Sequence, residues 1–169
     1  MQNEIRSANF LLRRPTLSDF SNMRKLESDE DVVRYTSYRC IQSDEQTLAR
    51  LEANIAKATE REPLGIWLAE SCTQDFIGWF MLIKTDAPHP ELGLMILKKY
   101  WGMGYSTEIA GAILKHASTN LGIKQISARV SPNNPSSLRV LEKLGFYVQE
   151  TIFGKDGESL ILLEWIEDQ

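Results

Sequence analysis

The stretch KKYWGMGYSTEIAGAILKHA, residues 98–117, decides how this chain is read. Gly102 and Gly104 stand one residue apart, and Ser106 and Thr107 follow at once. From there Ile109, Ala110, Ile113, Leu114, Ala117 and Leu121 fall on one helical face, and Gly122 stops the helix. Upstream, ELGLMILKK (91–99) has the apolar density of a strand. Downstream, KQISARVS (124–131) reads as a buried strand. The unit is strand, glycine turn, helix, strand. If both strands lie in one sheet, the helix is a crossover and the strands run parallel. The turn then sits at the carboxyl end of a strand, where open α/β sheets bind ligands.

A helix N-terminus leaves backbone N–H groups without partners and carries partial positive charge, so phosphates are its usual guests. Gly102 and Gly104, with the amides of Met103, Tyr105 and Ser106, can form such a cradle, and Lys99 can add a charge. A plain strand-to-helix turn, with glycine chosen for its conformation, explains the same short motif equally well. Two nucleotide-binding readings fail on residues. A P-loop needs Lys and Ser/Thr directly after its last glycine, where this chain has Tyr105 and Ser106. A Rossmann fingerprint needs a third glycine where Thr107 stands.

Outward from this unit the elements alternate irregularly. NFLLRRPT (9–16) reads as a first strand. The segment 18–37 reads as one helix and a second short one, with Phe20, Met23, Leu26, Val32 and Val33 apolar. The run from Ser43 to Glu60 reads as a cleaner helix, opened by a Ser43/Gln46 capping box, with Leu48, Leu51, Ile55 and Ala58 on one face. GIWLAES (65–71) and FIGWFMLIK (76–84) precede ELGLMILKK, so three successive strands predict an antiparallel meander. NPSSLRVLEKLG (134–145) is a short helix with Asn134 as N-cap, Pro135 at its first position and Gly145 past its end. FYVQETIFG (146–154) and ESLILLEW (158–165) close the chain around a KDG turn. The fold class is α/β of the α+β kind, one domain over residues 1–169 with no repeat or linker.

The 169 residues carry a net charge of −4, with 43% hydrophobic and 25% charged residues, and the pI is about 5.3. An acidic chain of this kind is not built for non-specific binding to nucleic acid or an anionic membrane. Any polyanionic ligand has to be held by local geometry. Cys40 and Cys72 form no CxxC or Cys/His cluster, no metal site is expected, and no long apolar run is present. They read as reduced thiols in a cytoplasmic protein.

YWGMGYSTE after ELGLMILKK resembles the acyl-CoA-binding motif of the GNAT superfamily of N-acetyltransferases, Gln/Arg-x-x-Gly-x-Gly/Ala. Gly102 and Gly104 match, and Lys99 replaces the first residue with another donor. NNPSSLRVLEKLGF resembles the second signature of that family, Asn-x-x-Ser followed by Glu-Lys-x-Gly-Phe, through Asn134, Ser137, Glu142, Lys143, Gly145 and Phe146. FLLRRPTLSDF (10–20) resembles the RLxLRxxxxxD opening of the branch that acetylates ribosomal-protein N-termini. The resemblance covers nearly the whole chain, with both main motifs in the right order.

This resemblance implies a mixed, mostly antiparallel sheet split like a V and flanked by helices, with acetyl-CoA as co-substrate in the split. Its pantetheine would pair with the backbone of Leu94, Met95, Ile96 and Leu97 as an added strand. Its pyrophosphate would rest on the amides of Tyr100, Trp101, Gly102, Met103, Gly104, Tyr105 and Ser106, with Asn134 on the pantetheine side. The family often has a Glu opening the third meander strand, which puts Glu91 forward as general base. Many members carry a Tyr acid four residues before Gly-Phe; Leu141 stands there, and branches like this one use the Ser of Asn-x-x-Ser, which is Ser137.

The chemistry needs a deprotonated amine, a stabilised oxyanion and a protonated thiolate. A protein α-amine titrates near 8 and a lysine amine near 10.4, so at pH 7.5 freeing the first costs under ~1 kcal/mol and the second ~4 kcal/mol. The α-amine therefore suits a modest carboxylate such as Glu91, whose bland alternative is a strand-end surface group. His89, between prolines, reads as a solvent-exposed bystander, and His116 as structural. Ser137 reads equally well as a first-turn residue bonded to its own backbone. Tyr147 is a reserve acid, although strand alternation points it elsewhere. Trp67, Trp79 and Phe80 read as core, and Trp101 as part of the cofactor turn. The expected acceptor is a protein N-terminal amine. A small amine (aminoglycoside or polyamine) and a non-catalytic acyl-CoA sensor are the alternatives, and the state is monomer or homodimer.

Overall fold

The computed structural model describes residues 4–168. Its elements in chain order are β1 (Ile5–Arg6), β2 (Phe10–Arg13), α1 (Phe20–Glu27), α2 (Glu30–Val33), α3 (Asp44–Ala56), α4 (Ala58–Arg61), β3 (Gly65–Ser71), β4 (Phe76–Ile83), β5 (Glu91–Ile96), α5 (Tyr105–Leu121), β6 (Gln125–Val130), α6 (Pro135–Lys143), β7 (Tyr147–Phe153) and β8 (Ser159–Ile166). Eight strands form one sheet in the order β1-β2-β3-β4-β5-β6-β8-β7. Every neighbouring pair is antiparallel except β5 and β6, which are parallel. The meander, the crossover helix and the closing hairpin all stand where their sequence patterns put them.

The β5–β6 junction positions everything that follows. The two strands share a single register pair, Glu91 with Ser127. On its other side β5 stays paired with β4 through Ile96. The sheet therefore splits from Glu91/Ser127 toward Ile96 and Val130. Alternation along β5 sends Leu92, Leu94 and Ile96 into the main core under α5. Met95 faces the opposite way, into a second core with Met23, Leu26 and Leu51 from α1 and α3. Helices thus cover both faces of the sheet.

Local chemistry sets the helix ends. Ser43 and Gln46 exchange bonds at the start of α3, with Gln46 N–H to Ser43 Oγ at 3.2 Å and Ser43 N–H to Gln46 Oε1 at 2.8 Å. Gly122 at φ +66° ends α5, and Ile123 N–H returns to Ala117 O at 3.0 Å.

Four expectations are corrected. The Ser43–Glu60 helix breaks at Lys57 into α3 and α4. Its buried stripe is Thr47 and Leu51, while Leu48 is exposed, because Thr47 carries a hydroxyl into a polar cluster described below. The third meander strand ends at Ile96, and Lys98–Tyr100 tighten into a 3-10 turn. A two-residue strand, β1, precedes the first expected one.

Arg13 and Asp19, the charged residues of the opening motif, are partners. Arg13 donates Nη1 to Asp19 Oδ2 at 2.9 Å and Nη2 to Oδ1 at 2.7 Å, and Thr16 N–H adds a third bond at 2.8 Å. Burial alone would raise the Asp19 carboxyl, but the bonds from Arg13, Thr16 and Asn22 outweigh it and hold the group below its usual value. A depressed folded-state value means stability that is present at neutral pH and lost as pH falls through the ordinary carboxylate range toward the depressed value. Asp19→Asn is expected to lower Tm at pH 7 and to narrow its gap from the parent as pH falls below about 4. A constant Tm difference from pH 7 to pH 3 would show that this ion pair does not carry the acid limb.

Candidate active site

Three segments border the split. The glycine turn follows Ile96 on one lip of its open end, the Asn134 turn follows Val130 on the other, and Glu91 and Ser127 mark the apex at its closed end.

In the glycine turn, Gly102 and Gly104 take φ +74° and +78°, in the left-handed region that L side chains avoid. A Cβ built at either position would meet no atom within 4 Å, so both glycines border open space. The amides of Tyr100 and Trp101 are spent within the 3-10 turn, on Leu97 O at 2.9 Å and Lys98 O at 3.0 Å. The run of free amides is therefore shorter than the one expected from residue 100. It begins at Gly102 and continues into the first turn of α5, whose first returned N–H is Glu108 to Gly104 O at 3.1 Å. The turn is pinned from both sides. Trp101 donates Nε1–H to Ile96 O at 3.0 Å, although the residue is 45% exposed. Glu108 accepts from Ser7 Oγ at 2.8 Å and Asn9 N–H at 3.0 Å. Its carboxyl lies below the usual range: burial works against this, and the Asn9 and Ser7 bonds prevail. Lys99 is exposed, with Nζ 4.9 Å from the Tyr100 ring centroid; Lys98 instead pairs with Asp31.

On the other lip, Asn134 caps α6. Its Oδ1 accepts from Ser137 N–H at 3.3 Å, and its Nδ2 donates to Ser137 Oγ at 3.0 Å. With its oxygen already accepting, the Ser137 hydroxyl keeps its own proton to give. Leu141, where many members of the family carry a Tyr, is buried in the core.

At the apex, Glu91 is 6% exposed and both oxygens are engaged. Arg129 donates Nε to Oε1 at 2.9 Å and Nη2 to Oε2 at 2.7 Å, and Thr85 Oγ1 donates to Oε2 at 2.7 Å. Arg129 also reaches Asp86 at 3.0 Å. This fork joins β5 to β6 beyond their one backbone pair and holds the Arg129 guanidinium above its ordinary value, Glu91 being the main cause. Next to it lies a group the sequence reading did not single out. Ser127 Oγ donates to Glu164 Oε1 at 2.6 Å, and His89 N–H donates to Ser127 Oγ at 3.2 Å. His89 is half-buried here rather than free in solvent. Tyr147 sits opposite Glu164 in the β7–β8 register, so alternation places it on this face after all. Spacing could not join Ser127 to Glu164; only their pairing across β6 and β8 does. His116 is half-buried on α5, where burial and Arg14 lower its value. Trp67 and Phe80 are core, and Trp79 packs against the second core.

Residues 9–147 match the family model described as an acetyltransferase (GNAT) domain. The chain belongs to the GNAT acetyltransferase family. Relatives of this GNAT chain include the uncharacterised N-acetyltransferase YoaA of Bacillus subtilis, 25% identical over 80% of this chain and 78% of YoaA. Another is the FsC-acetyl coenzyme A-N(2)-transacetylase of Aspergillus fumigatus, 24% identical over 78% of this chain and 59% of that protein. Among solved structures, a GNAT acetyltransferase of Bacillus anthracis superposes with TM-score 0.84 at 23% identity, covering 98% and 99% of the two chains. RimL, a ribosomal-protein α-N-acetyltransferase solved with coenzyme A, gives 0.81 at 15% identity over 96% and 97%. Spermidine N-acetyltransferase of Vibrio cholerae, solved with coenzyme A and spermine, gives 0.77 at 16% identity over 93% and 95%.

GNAT enzymes use acetyl-CoA, which brings an acyl group already activated as a thioester. The residues present fit that donor. Gly102 and Gly104 leave space that a Cβ would enter, and free amides at a helix N-terminus suit a pyrophosphate. The split offers an unpaired β5 edge from Gly93 to Ile96, suited to a strand-like pantetheine.

Proposed function

We propose that this GNAT enzyme acetylates protein N-terminal α-amines, with Glu91 and Ser137 as its proton-handling residues. The state of Glu91 carries the choice of amine. Both Glu91 oxygens already accept bonds from a bidentate guanidinium and a hydroxyl, so a proton from the acceptor has to displace one of them. An amine that costs under ~1 kcal/mol to free suits such a site better than one that costs ~4 kcal/mol. Glu91 accepts the proton through water while Arg129 holds it at the apex. Ser137 gives its hydroxyl proton to the leaving sulfur. Backbone N–H groups of the unpaired β5 edge supply the oxyanion donor. Likeness to RimL and the Arg13–Asp19 opening support the N-terminal class. Two exposed, free cysteines among the described residues support a reducing, cytoplasmic setting.

Calorimetric binding of acetyl-CoA, followed by thiol release with short peptides, Nα-acetylated lysine peptides and spermidine, tests the reading. Release with free N-terminal peptides alone is the expected result. Release with spermidine or with the lysine peptides alone would overturn the acceptor class. Ser137→Ala is expected to lower kcat by about 100-fold or more with the Kd of acetyl-CoA nearly unchanged. Full turnover in that variant would place the acid elsewhere.

A further inference from the structure

The Glu164 Oε2 oxygen is buried with no hydrogen-bond partner among the described residues. Glu164 is only 6% exposed, and its other oxygen is taken by Ser127. Leaving a buried carboxylate oxygen unpaired costs more than leaving a neutral group unpaired, so the site is short of one donor. Glu164 also lines a pocket of about 210 Å³, together with His89, Gln125, Tyr147, Glu150 and Leu162 among others. Among the described residues no Lys or Arg lines this pocket, and Glu150 adds a second negative charge. Arg129, the nearest cation along β6, is committed to Glu91 and Asp86. The pocket is thus anionic, and among the described residues none of its lining side chains hydrogen-bonds Glu164 Oε2.

The second acceptor is close. His89 Nε2 lies 3.9 Å from Glu164 Oε2, too far for a direct bond. A single nitrogen about 2.9 Å from each could send one N–H to each acceptor, since a neutral imidazole offers one ring nitrogen as an acceptor. A primary ammonium has this shape and charge. Ser127 ties the pocket to the reaction cleft, because it is both the donor to Glu164 and the β6 residue paired with Glu91 at the apex.

We propose that Glu164 and His89 form a primary-ammonium subsite for the acceptor, at the closed end of the split on the α1–α3 face. The proposal rests on the reading of this chain as an amine acetyltransferase. It adds the group that recognises the protonated amine before transfer. Glu164 supplies the charge, His89 the second acceptor, and Ser127 holds the other carboxylate oxygen, leaving Oε2 for the ammonium.

The chain has two histidines, so the imidazole proton signals of His89 and His116 give a built-in reporter and control. A tripeptide with a free α-amine is titrated into the protein with and without saturating CoA, beside its Nα-acetylated twin and spermidine. The His89 signal is expected to move with the free amine, not with the acetylated twin, while His116 stays still. Glu164→Gln is expected to weaken the free amine by about ten- to a hundredfold, with the melting curve checking its fold. His89→Ala, followed by calorimetry, is expected to weaken it as well and covers the case in which Glu164→Gln fails to fold. An unmoved His89 with both the free tripeptide and spermidine, or equal affinity in the Glu164→Gln protein, would overturn the subsite. Thiol release is measured separately. Release without any His89 response sinks the subsite and leaves the transferase standing. A His89 response without release from any amine keeps the subsite and sinks the acceptor reading.

Discussion

Gly104→Asp is expected to raise the Kd for acetyl-CoA by about 100-fold or more while leaving the thermal stability of the protein close to the parent's. The two halves of this prediction have one cause. Gly104 is the N-cap of α5, and no side chain caps that helix. Asp is among the best N-cap residues, because its carboxylate accepts from the free amides of the first turn. It also tolerates the left-handed region better than most L residues, so φ +78° costs it less than it costs Ala. The new carboxylate would find open space and would bond the amides that the cradle offers to a pyrophosphate. The protein gains a capped helix and loses its anion seat. Gly104→Ala separates charge from strain. It adds a Cβ in an unfavourable φ without a competing anion, so it should cost ~1 kcal/mol of stability and a much smaller loss of affinity. Calorimetry with acetyl-CoA and a melting curve decide the matter. Parent-like affinity in Gly104→Asp would show that the pyrophosphate does not rest on this turn.

How much of this could be read from the residues depends on whether the cause was local. Caps and turns are local, so Ser43/Gln46, Asn134/Pro135 and Gly122 were legible and mark real helix ends. Strand periodicity is local too, and GIWLAES coincides with β3. The pattern misled where a tertiary demand overrode it. The apolar run of β5 continues through Leu97, yet the strand ends at Ile96, where its register with β4 ends and Lys98–Tyr100 tighten into a 3-10 turn. Leu48 belonged to the apolar stripe of α3, yet Thr47 took the buried place. For the site, motif positions gave the glycine turn, Asn134, Ser137 and Glu91. They could not show that Arg129, 38 residues on, occupies Glu91. Nor could they show that Glu164, near the chain's end, has a buried oxygen without a hydrogen-bond partner among the described residues, 3.9 Å from His89 Nε2. Those facts come from strand pairing across β6, β8 and the loop before β5, and a single sequence holds no record of that pairing.

Thr47 took that buried place because of Glu27, and Glu27→Ala is expected to be the most destabilising single change on the α1–α3 face. Glu27 is fully buried at the end of α1. Its Oε2 accepts from Thr47 Oγ1 at 2.5 Å, and its Oε1 from Arg50 Nη1 at 2.7 Å and Tyr38 OH at 3.3 Å. Arg50 stacks over the Tyr38 ring at 4.2 Å and donates to Gln42 at 2.7 Å. Burial, with Glu27 next, pushes the Tyr38 phenol far above its ordinary value, so it stays a neutral donor. Cutting out the carboxylate leaves Arg50, Thr47 and Tyr38 facing a cavity. Breaking a buried pair from one side costs about 3–5 kcal/mol, or a fall in Tm on the order of 10 °C for a chain of this size. Replacing both Glu27 and Arg50 by Met removes the stranded charge, and should recover much of the loss if the penalty is electrostatic rather than steric. The consequence for function follows from packing. Met23 and Leu26 of α1 share a core with Leu51 of α3 and Met95 of β5, so loosening this network loosens the wall over the split. The KM for the amine should therefore rise in Glu27→Ala at temperatures where the fold survives, with acetyl-CoA affinity held by the separate turn at Gly102–Gly104. A stable Glu27→Ala protein with an unchanged KM would show that α1–α3 do not form that wall.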